Sequence, residues 1–429
     1  MRIALVTAGG AGMFCGSCMQ DNTLARSLIA QGADVTLIPT YTPIRVDEEN
    51  ASLNRVFFGG LNVYLNSRWK MWRYLPRFMQ RWVDHPAVIR WATSMAVSND
   101  AKELGDLTLS MLTGAHGPHR QAGAELASYI AEELQPDVVI FSNALLSGVV
   151  EQLREHFGGV LLCTLQGDDI FLDGLPNDIR HKAIELISQN SAGFDGFLTH
   201  SRFYQNYIAD YLKLPTEKFR VLPLGIDLTG HTGQPKPPVE NEFTVGYFAR
   251  IAPEKGLHHL AEAFVDLRKR VPHANLRIGG FLPPQHQDYL NHVTETLRGI
   301  GIEDAYIGSP PDHEGKVEFL KSIDVLCVPT DFLEPKGIYV LEAMANGVPV
   351  VQPAHGAFPE LLEATSGGKL FTPRDPLHLS KTLEELAEHS VRFEHAQRGW
   401  QGVRDRHSAE VAARATMQTL DDFMQGRRT

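Results

Sequence analysis

Short apolar runs alternate with longer stretches whose apolar positions recur every three or four residues, and the alternation runs almost the length of the chain. Arg2–Thr7 reads as a strand, Gly9–Gly16 (GGAGMFCG) as a glycine-rich turn, Asn22–Gln31 as an amphipathic helix ended by Gly32, and Asp34–Pro39 as the next strand. Strand, glycine turn, helix, strand is a βαβ unit. Asp137–Phe141, Val160–Thr164, Phe197–Thr199 and Phe219–Pro223 continue as apolar runs between helical stretches, which predicts a parallel, doubly wound sheet. Leu228–Glu242 is dense in Pro and Gly, has no periodicity and reads as a linker. The pattern then restarts with strand Phe243–Phe248, helix Gly256–Arg270, strand Asn275–Gly279, helix Pro284–Leu297 and strand Ala305–Ile307. Two Rossmann-like domains are therefore expected, about 1–230 and 240–400, with a helical insertion near 65–120. Pro376–Met424 is mostly helical by periodicity.

Composition narrows the class. A chain of 429 residues, 43% of them hydrophobic, is long enough for two or three domains with sizeable cores. A net charge of −11 argues against a general nucleic-acid binder, which would carry a dominant basic patch. Four cysteines are too few for a disulfide framework in so long a chain. There is no apolar run of about 18 residues, the minimum for a membrane-spanning helix. The N-terminal MRIALVTAGGAGMF has a single basic residue and reads better as a first strand and turn than as a signal peptide, so the cytoplasm is the expected compartment.

The sharpest chemical signal is Glu334 and Glu342 in EPKGIYVLEAMANG. Ile323–Pro329 before them reads as a buried strand. Gly337 breaks the chain, and Ile338, Leu341 and Ala345 recur at helical spacing until Asn346-Gly347 supplies a C-cap. Glu334 then sits in a strand-to-helix loop and Glu342 about one turn into the helix. The helix N-terminus between them is a natural seat for a phosphate. Carboxylates cannot bind that anion, but they can accept hydrogen bonds from hydroxyls on either side of it, sugar at one end and ribose at the other. Arg250 and Lys255 lie in GYFARIAPEKGLHHL, directly after the first strand of the second half. Cations in a strand-end loop at the carboxyl edge of a parallel sheet stand where ligands bind. There they would stabilise the charge that develops on a departing diphosphate.

EPKGIYVLEAMANGVPVV, the Arg250–Lys255 pair, PLGID (Pro223–Asp227) and HGAFPE together resemble, in order over nearly the whole chain, the retaining nucleotide-sugar glycosyltransferases of the glycogen-synthase-like family (glycosyltransferase family four). The resemblance is weakest over Asp47–Gln121. It implies a GT-B fold, two Rossmann-like domains facing across a cleft, with a last helix (400–429) that returns to the N-terminal domain. It implies Arg250, Lys255 and Glu334 as catalytic residues, with Gly12, Gly337, Ile338 and Glu342 binding the donor. Gln166, Asp168 and Asp169 in CTLQGDDIFLDGLP fall on the acceptor side. Many relatives have His where Gln166 stands; Gln still forms hydrogen bonds but cannot become a cation or act as a general base. Before Gly337, Lys336 replaces a Phe of the family pattern. The implied partners are a nucleotide-diphosphate sugar as donor substrate and a glycan or lipid-linked acceptor, with no nucleic acid and no cofactor. Asp-x-Asp is absent from the sequence, so metal-independent chemistry is expected. Two other readings share the fold: a nucleotide-sugar-binding protein without turnover, and a nucleotide-sugar 2-epimerase.

Two features fall outside this picture. Cys15 and Cys18 form C-x-x-C at the expected start of a helix, where a thiolate is stabilised. No second pair completes a metal site and the context is not that of thioredoxin, so packing in a tight loop is the favoured account. Residues 68–91 carry four of the five tryptophans, and Arg68–Trp82 has five basic residues and no acid. A surface for peripheral contact with the inner face of a membrane, a platform for acceptor sugars and a helical hairpin packed on its own domain all fit this composition.

Overall fold

The computed structural model describes residues 1–9, 16–44, 46, 49–53, 56, 57, 101–237, 239, 242–310 and 312–428. Gly12, Cys15 and the whole of 68–91 lie outside them. The chain divides into two compact units, Met1–Leu222 with Ala412–Thr429, and Pro223–Val411.

The first unit is built on a six-stranded parallel sheet in the order β2-β1-β3-β4-β5-β6. Its strands are β1 (Arg2–Thr7), β2 (Asp34–Pro39), β3 (Val138–Phe141), β4 (Val160–Thr164), β5 (Gly196–Thr199) and β6 (Phe219–Val221). Because β3 and β4 are buried along their whole length, they read as unbroken apolar runs, the signature of strands covered on both faces. Register is in step across the sheet, with Leu5 opposite both Leu37 of β2 and Ile140 of β3. Strand alternation divides the core into two layers. Ala4, Val6, Val139 and Phe141 face one cluster, while Ile3, Leu5, Val138 and Ile140 face the other. The first helix runs Gly16–Ala30, earlier than its periodicity suggested, because Cys18 is buried along with Ala25 and Leu28. Helix Ala409–Arg428 joins that same layer, burying Ala413 and Leu420 beside Ile3 and Leu5. An ion pair from Arg427 Nε to Asp195 Oδ1 at 3.1 Å adds to it.

The second unit carries a five-stranded parallel sheet in the order β11-β10-β9-β7-β8. These strands are β7 (Phe243–Phe248), β8 (Ala274–Gly279), β9 (Val325–Cys327), β10 (Val350–Pro353) and β11 (Gly368–Phe371). The run Ile323–Pro329 contributes only its centre to pairing, although Ile323 and Val328 are fully buried on either side. Ala305–Ile307 is not a strand of this sheet. It makes one isolated parallel bridge, Tyr306 to Ile278, because the chain is in register there for a single residue. Pro284–His286 forms a separate 3₁₀ turn ahead of helix Gln287–Arg298. The helical tail resolves into Pro376–Ala387, His389–Arg406 and Ala409–Arg428.

The segment expected to be a linker is packed, in its described part, against the second unit. Gly233 N–H donates to Asn346 Oδ1 at 3.1 Å, and the Lys236 ammonium donates to Ile323 O at 2.9 Å. Its glycines reflect close approach, Gly233 to Asn346 at the C-cap of helix Ile338–Ala345 and Gly230 to the His313 ring, which a tract of low periodicity does not reveal. Among the described residues no helix is long and apolar enough to cross a membrane.

Candidate functional site

In the second unit the carboxyl ends of β7 and β9 bring two sequence-distant loops together. The loop after β7 turns through Pro253–Lys255 into helix Leu257–Arg270. The loop after β9 runs to Gly337, which takes φ +78 as the N-cap of helix Ile338–Ala345. The two backbones are tied, since Glu254 O accepts from Asp331 N–H at 3.0 Å and from the Thr330 hydroxyl at 2.9 Å. Across this junction Lys255 Nζ meets Glu334 Oε2 at 3.1 Å, with both side chains largely shielded from solvent. Phe332 covers the ammonium from one side, its ring centroid 5.6 Å away.

Glu334 is held from behind by the HGAFPE segment. Its carbonyl accepts from Ala357 N–H at 2.9 Å. A Cβ at Gly356 would stand 2.8 Å from both the N and the O of Glu334, so only glycine permits this backbone contact. His355 Nε2 anchors the same loop to Thr330 O at 3.0 Å.

Glu342 has its own lysine. Lys316, on helix His313–Lys321, places Nζ 2.8 Å from Glu342 Oε1, and the pair is more deeply shielded than Lys255–Glu334. Around it lie Asn346, whose amide donates to Glu342 O at 3.0 Å and faces His231 Nδ1 at 2.8 Å, and His313, edge-on to His231. Burial pushes His231 down to about 4, so it is neutral at pH 7 and Nδ1 is available to accept from Asn346. Lys316, His231 and Asn346 were not singled out by the sequence. A lysine on an amphipathic helix, 26 residues from its partner, carries no local signal. Asn346 had a signal, the C-cap, but not one for its side-chain contacts.

Arg250 behaves differently. Its guanidinium pairs with Glu254, four residues on in the same loop, and its side chain is half exposed. The structure thus brings Lys255 to Glu334 directly and keeps Arg250 in the same loop on a partner of its own. Ile338 opens the helix beside Gly337, and Lys336 is buried immediately before it.

The remaining predicted residues lie in the first unit, at the turn from β4 into helix Asp168–Asp173. Asp168 has both oxygens engaged by backbone N–H groups, Ala144 at 2.6 Å and Gln166 at 3.1 Å. Burial nevertheless pushes it up to about 6. The Tyr204 hydroxyl donates to Asp169 Oδ1 at 2.6 Å and accepts from Gly167 N–H at 2.8 Å. Desolvation raises Asp169 as well. Gln166 donates through Nε2 to Asp21 Oδ1 and to Ser142 O, each at 3.1 Å, and Asp21 Oδ2 accepts from Thr7 Oγ1 at 2.7 Å. Asp21, Thr7 and Ser142 sit in or just past apolar elements, which is why they passed as ordinary helix and strand-end residues. Of the C-x-x-C pair, Cys18 is buried in the core of this unit.

Comparison with known proteins fits this geometry. Residues 233–399 match the family model of glycosyl transferases group 1. WcaL of Escherichia coli (strain K12), which carries the name of a colanic acid biosynthesis glycosyltransferase, is 30% identical over 181 residues. That match covers 41% of this chain and 43% of WcaL, less than half the length of either. Two solved structures superpose on nearly the whole chain. Sucrose-phosphate synthase from Thermosynechococcus elongatus gives a TM-score of 0.69 at 18% identity, covering 99% of each chain. Anabaena HepE, solved in complex with UDP, gives 0.68 at 16% identity, covering 98% of this chain and 100% of its own. Likeness at that identity establishes the fold. The chain has the GT-B fold, and within its second unit residues 233–399 are similar to the glycosyl transferases group 1.

Proposed function

We propose that this protein is a retaining, metal-independent glycosyltransferase, which moves a sugar from a nucleotide-diphosphate sugar to an acceptor hydroxyl of a glycan or lipid-linked molecule. The observation that carries the reading is the double pairing Lys255–Glu334 and Lys316–Glu342 at either end of the turn into helix Ile338–Ala345. A donor has hydroxyls at both ends and a diphosphate between them. Two shielded carboxylates serve as hydroxyl acceptors, Glu334 toward the sugar and Glu342 toward the ribose. Lys255, Arg250 and the helix N-terminus supply positive charge for the diphosphate.

The transfer proposed for this layout proceeds on one face of the sugar. The bond from sugar C1 to the diphosphate oxygen breaks, and its electron pair stays on the leaving phosphate. The acceptor oxygen bonds to C1 from the face just vacated, and its proton passes to the same phosphate oxygen. Configuration at C1 is retained, and no side-chain nucleophile is consumed. Lys255 lowers the barrier because the charge it faces is larger in the transition state than in the bound donor. In the first unit, Gln166, Asp168 and Asp169 fix the β4 turn on which acceptor contacts would be built.

Thermal melts in EDTA with UDP, GDP and ADP, each in turn, test the nucleotide half. One diphosphate at about 100 times its Kd should stabilise the second unit by about 2.7 kcal/mol. The matching nucleotide-sugar should then release diphosphate only when acceptor is added, and the product should keep the donor's anomeric configuration by NMR coupling. Absence of any stabilising diphosphate, an inverted product, or strict dependence on Mg²⁺ or Mn²⁺ would overturn the reading.

A further inference from the structure

Beside the Lys255–Glu334 junction the same two loops gather side chains that the transfer chemistry does not use. His258 and His259 open helix Leu257–Arg270, and Asp331 lies three residues before Glu334. One donor atom from each of the three residues falls within 4.8 Å of the other two, and all three residues are half-buried. His259 Nε2 stands 3.3 Å from Asp331 Oδ1 and 3.4 Å from Oδ2. That is long for a hydrogen bond. It matches the edge of a tetrahedron whose centre is a zinc ion, about 3.3–3.4 Å when each ligand lies about 2.0–2.1 Å from the metal.

We propose that His258, His259 and Asp331 form a site for a divalent transition metal of the zinc type, which clamps the loop carrying Lys255 to the loop carrying Glu334. Two imidazoles and one carboxylate favour such an ion over Mg²⁺ or Ca²⁺, which prefer all-oxygen shells. Three protein ligands leave the fourth tetrahedral position to water. The supporting shell is already in place. The Tyr289 hydroxyl lies 2.9 Å from His258 Nδ1, and Arg374 Nε donates to Asp331 Oδ1 at 2.8 Å, which leaves Oδ2 to face the metal. The backbone is rigid as well. A Cβ at Gly256 would fall 1.9 Å from Pro329 O, so the start of the helix is seated directly on the end of β9. Adjacent residues on a helix ordinarily point apart, yet these two rings lie 3.9 Å from centroid to centroid.

The test uses the full chain, stripped with EDTA, desalted and titrated with ZnCl₂ in a calorimeter, with no donor or acceptor present. One saturable equivalent with a rise in melting temperature is expected. His259→Gln and Asp331→Asn should each weaken it about tenfold or more, while His156→Ala, on the other unit, should leave it unchanged. Co²⁺ added to the unaltered protein should give the intense visible bands of a tetrahedral ion, which does not depend on how any variant folds. Equal zinc affinity in all variants, or a weak octahedral Co²⁺ spectrum, would overturn the site. Neither result bears on sugar transfer, which is measured separately in EDTA.

Discussion

The carboxyl edges of the two sheets are built in opposite ways. At the end of β4 the acids are consumed internally: Asp168 takes two backbone N–H groups, Asp169 takes Tyr204, and Gln166 bridges to Asp21. At the ends of β7 and β9 the acids are matched to lysines, Glu334 to Lys255 and Glu342 to Lys316. A backbone N–H is fixed and has no better partner, so the first arrangement sets a shape. A lysine ammonium swings on a four-carbon stem and has three donors, so it can turn to a phosphate while its carboxylate turns to a hydroxyl. In the reading proposed above, the first edge acts as a scaffold and the second holds its charges ready for the donor.

Three experiments press on that contrast, starting with the largest expected effect. Lys255→Ala should lower turnover by about 10²-fold or more, some 3 kcal/mol, as for the loss of one transition-state contact. Arg250→Ala should follow in the same direction, and the double variant should remain folded by circular dichroism. Near-normal kcat in the double variant would mean that the Lys255–Glu334 pair is structural after all.

A smaller effect is expected at the deeper pair. Glu342→Ala removes the carboxylate partner of Lys316 and the acceptor assigned to the ribose, so nucleoside-diphosphate binding should weaken by about 1–3 kcal/mol. Glu334→Ala should instead depress turnover with the intact donor and leave free diphosphate affinity nearly unchanged. Titrating both variants with diphosphate checks the split; equal losses would erase the distinction between the sugar end and the ribose end.

The scaffold side offers a test by pH. Burial raises folded Asp168 to about 6, above its unfolded value near 3.9, so the native state binds more protons than the unfolded chain between those two values. The contribution of this group to stability is therefore greatest below about pH 4, falls as pH rises toward about 6 and levels off above it, by a total of about 3 kcal/mol. Asp168→Asn cannot titrate and should flatten that part of the curve, while losing one backbone acceptor at every pH. Urea unfolding midpoints of both proteins between pH 4 and 7.5 decide it, and parallel curves would show that Asp168 is not held in a desolvated site.

Much of this protein was written in local pattern. Val160–Thr164 and Phe243–Phe248 are strands with the bounds that their apolar runs predicted, because a strand buried on both faces has no other way to satisfy its side chains. The turn at Gly337 and the helix behind it were equally legible, since a glycine break and a 3.6-residue period are properties of neighbouring residues. Ala305–Ile307 looked like a strand on the same grounds and failed, because pairing needs register with β8 as well as apolar side chains.

What the sequence by itself determined is the two-sheet α/β plan and the positions of Lys255, Glu334 and Glu342 at strand ends and in the first turns of a helix. Only the tertiary structure decided their company. Lys316 reaches Glu342 across 26 residues and Lys255 reaches Glu334 across 79. Gly356 fits against the Glu334 backbone, and His259 meets Asp331. The reason is physical: periodicity records which face of an element is buried, whereas the partner of a charge is set by how strands stack in a sheet, and that order, β9 beside β7 and β10, is a long-range outcome of packing.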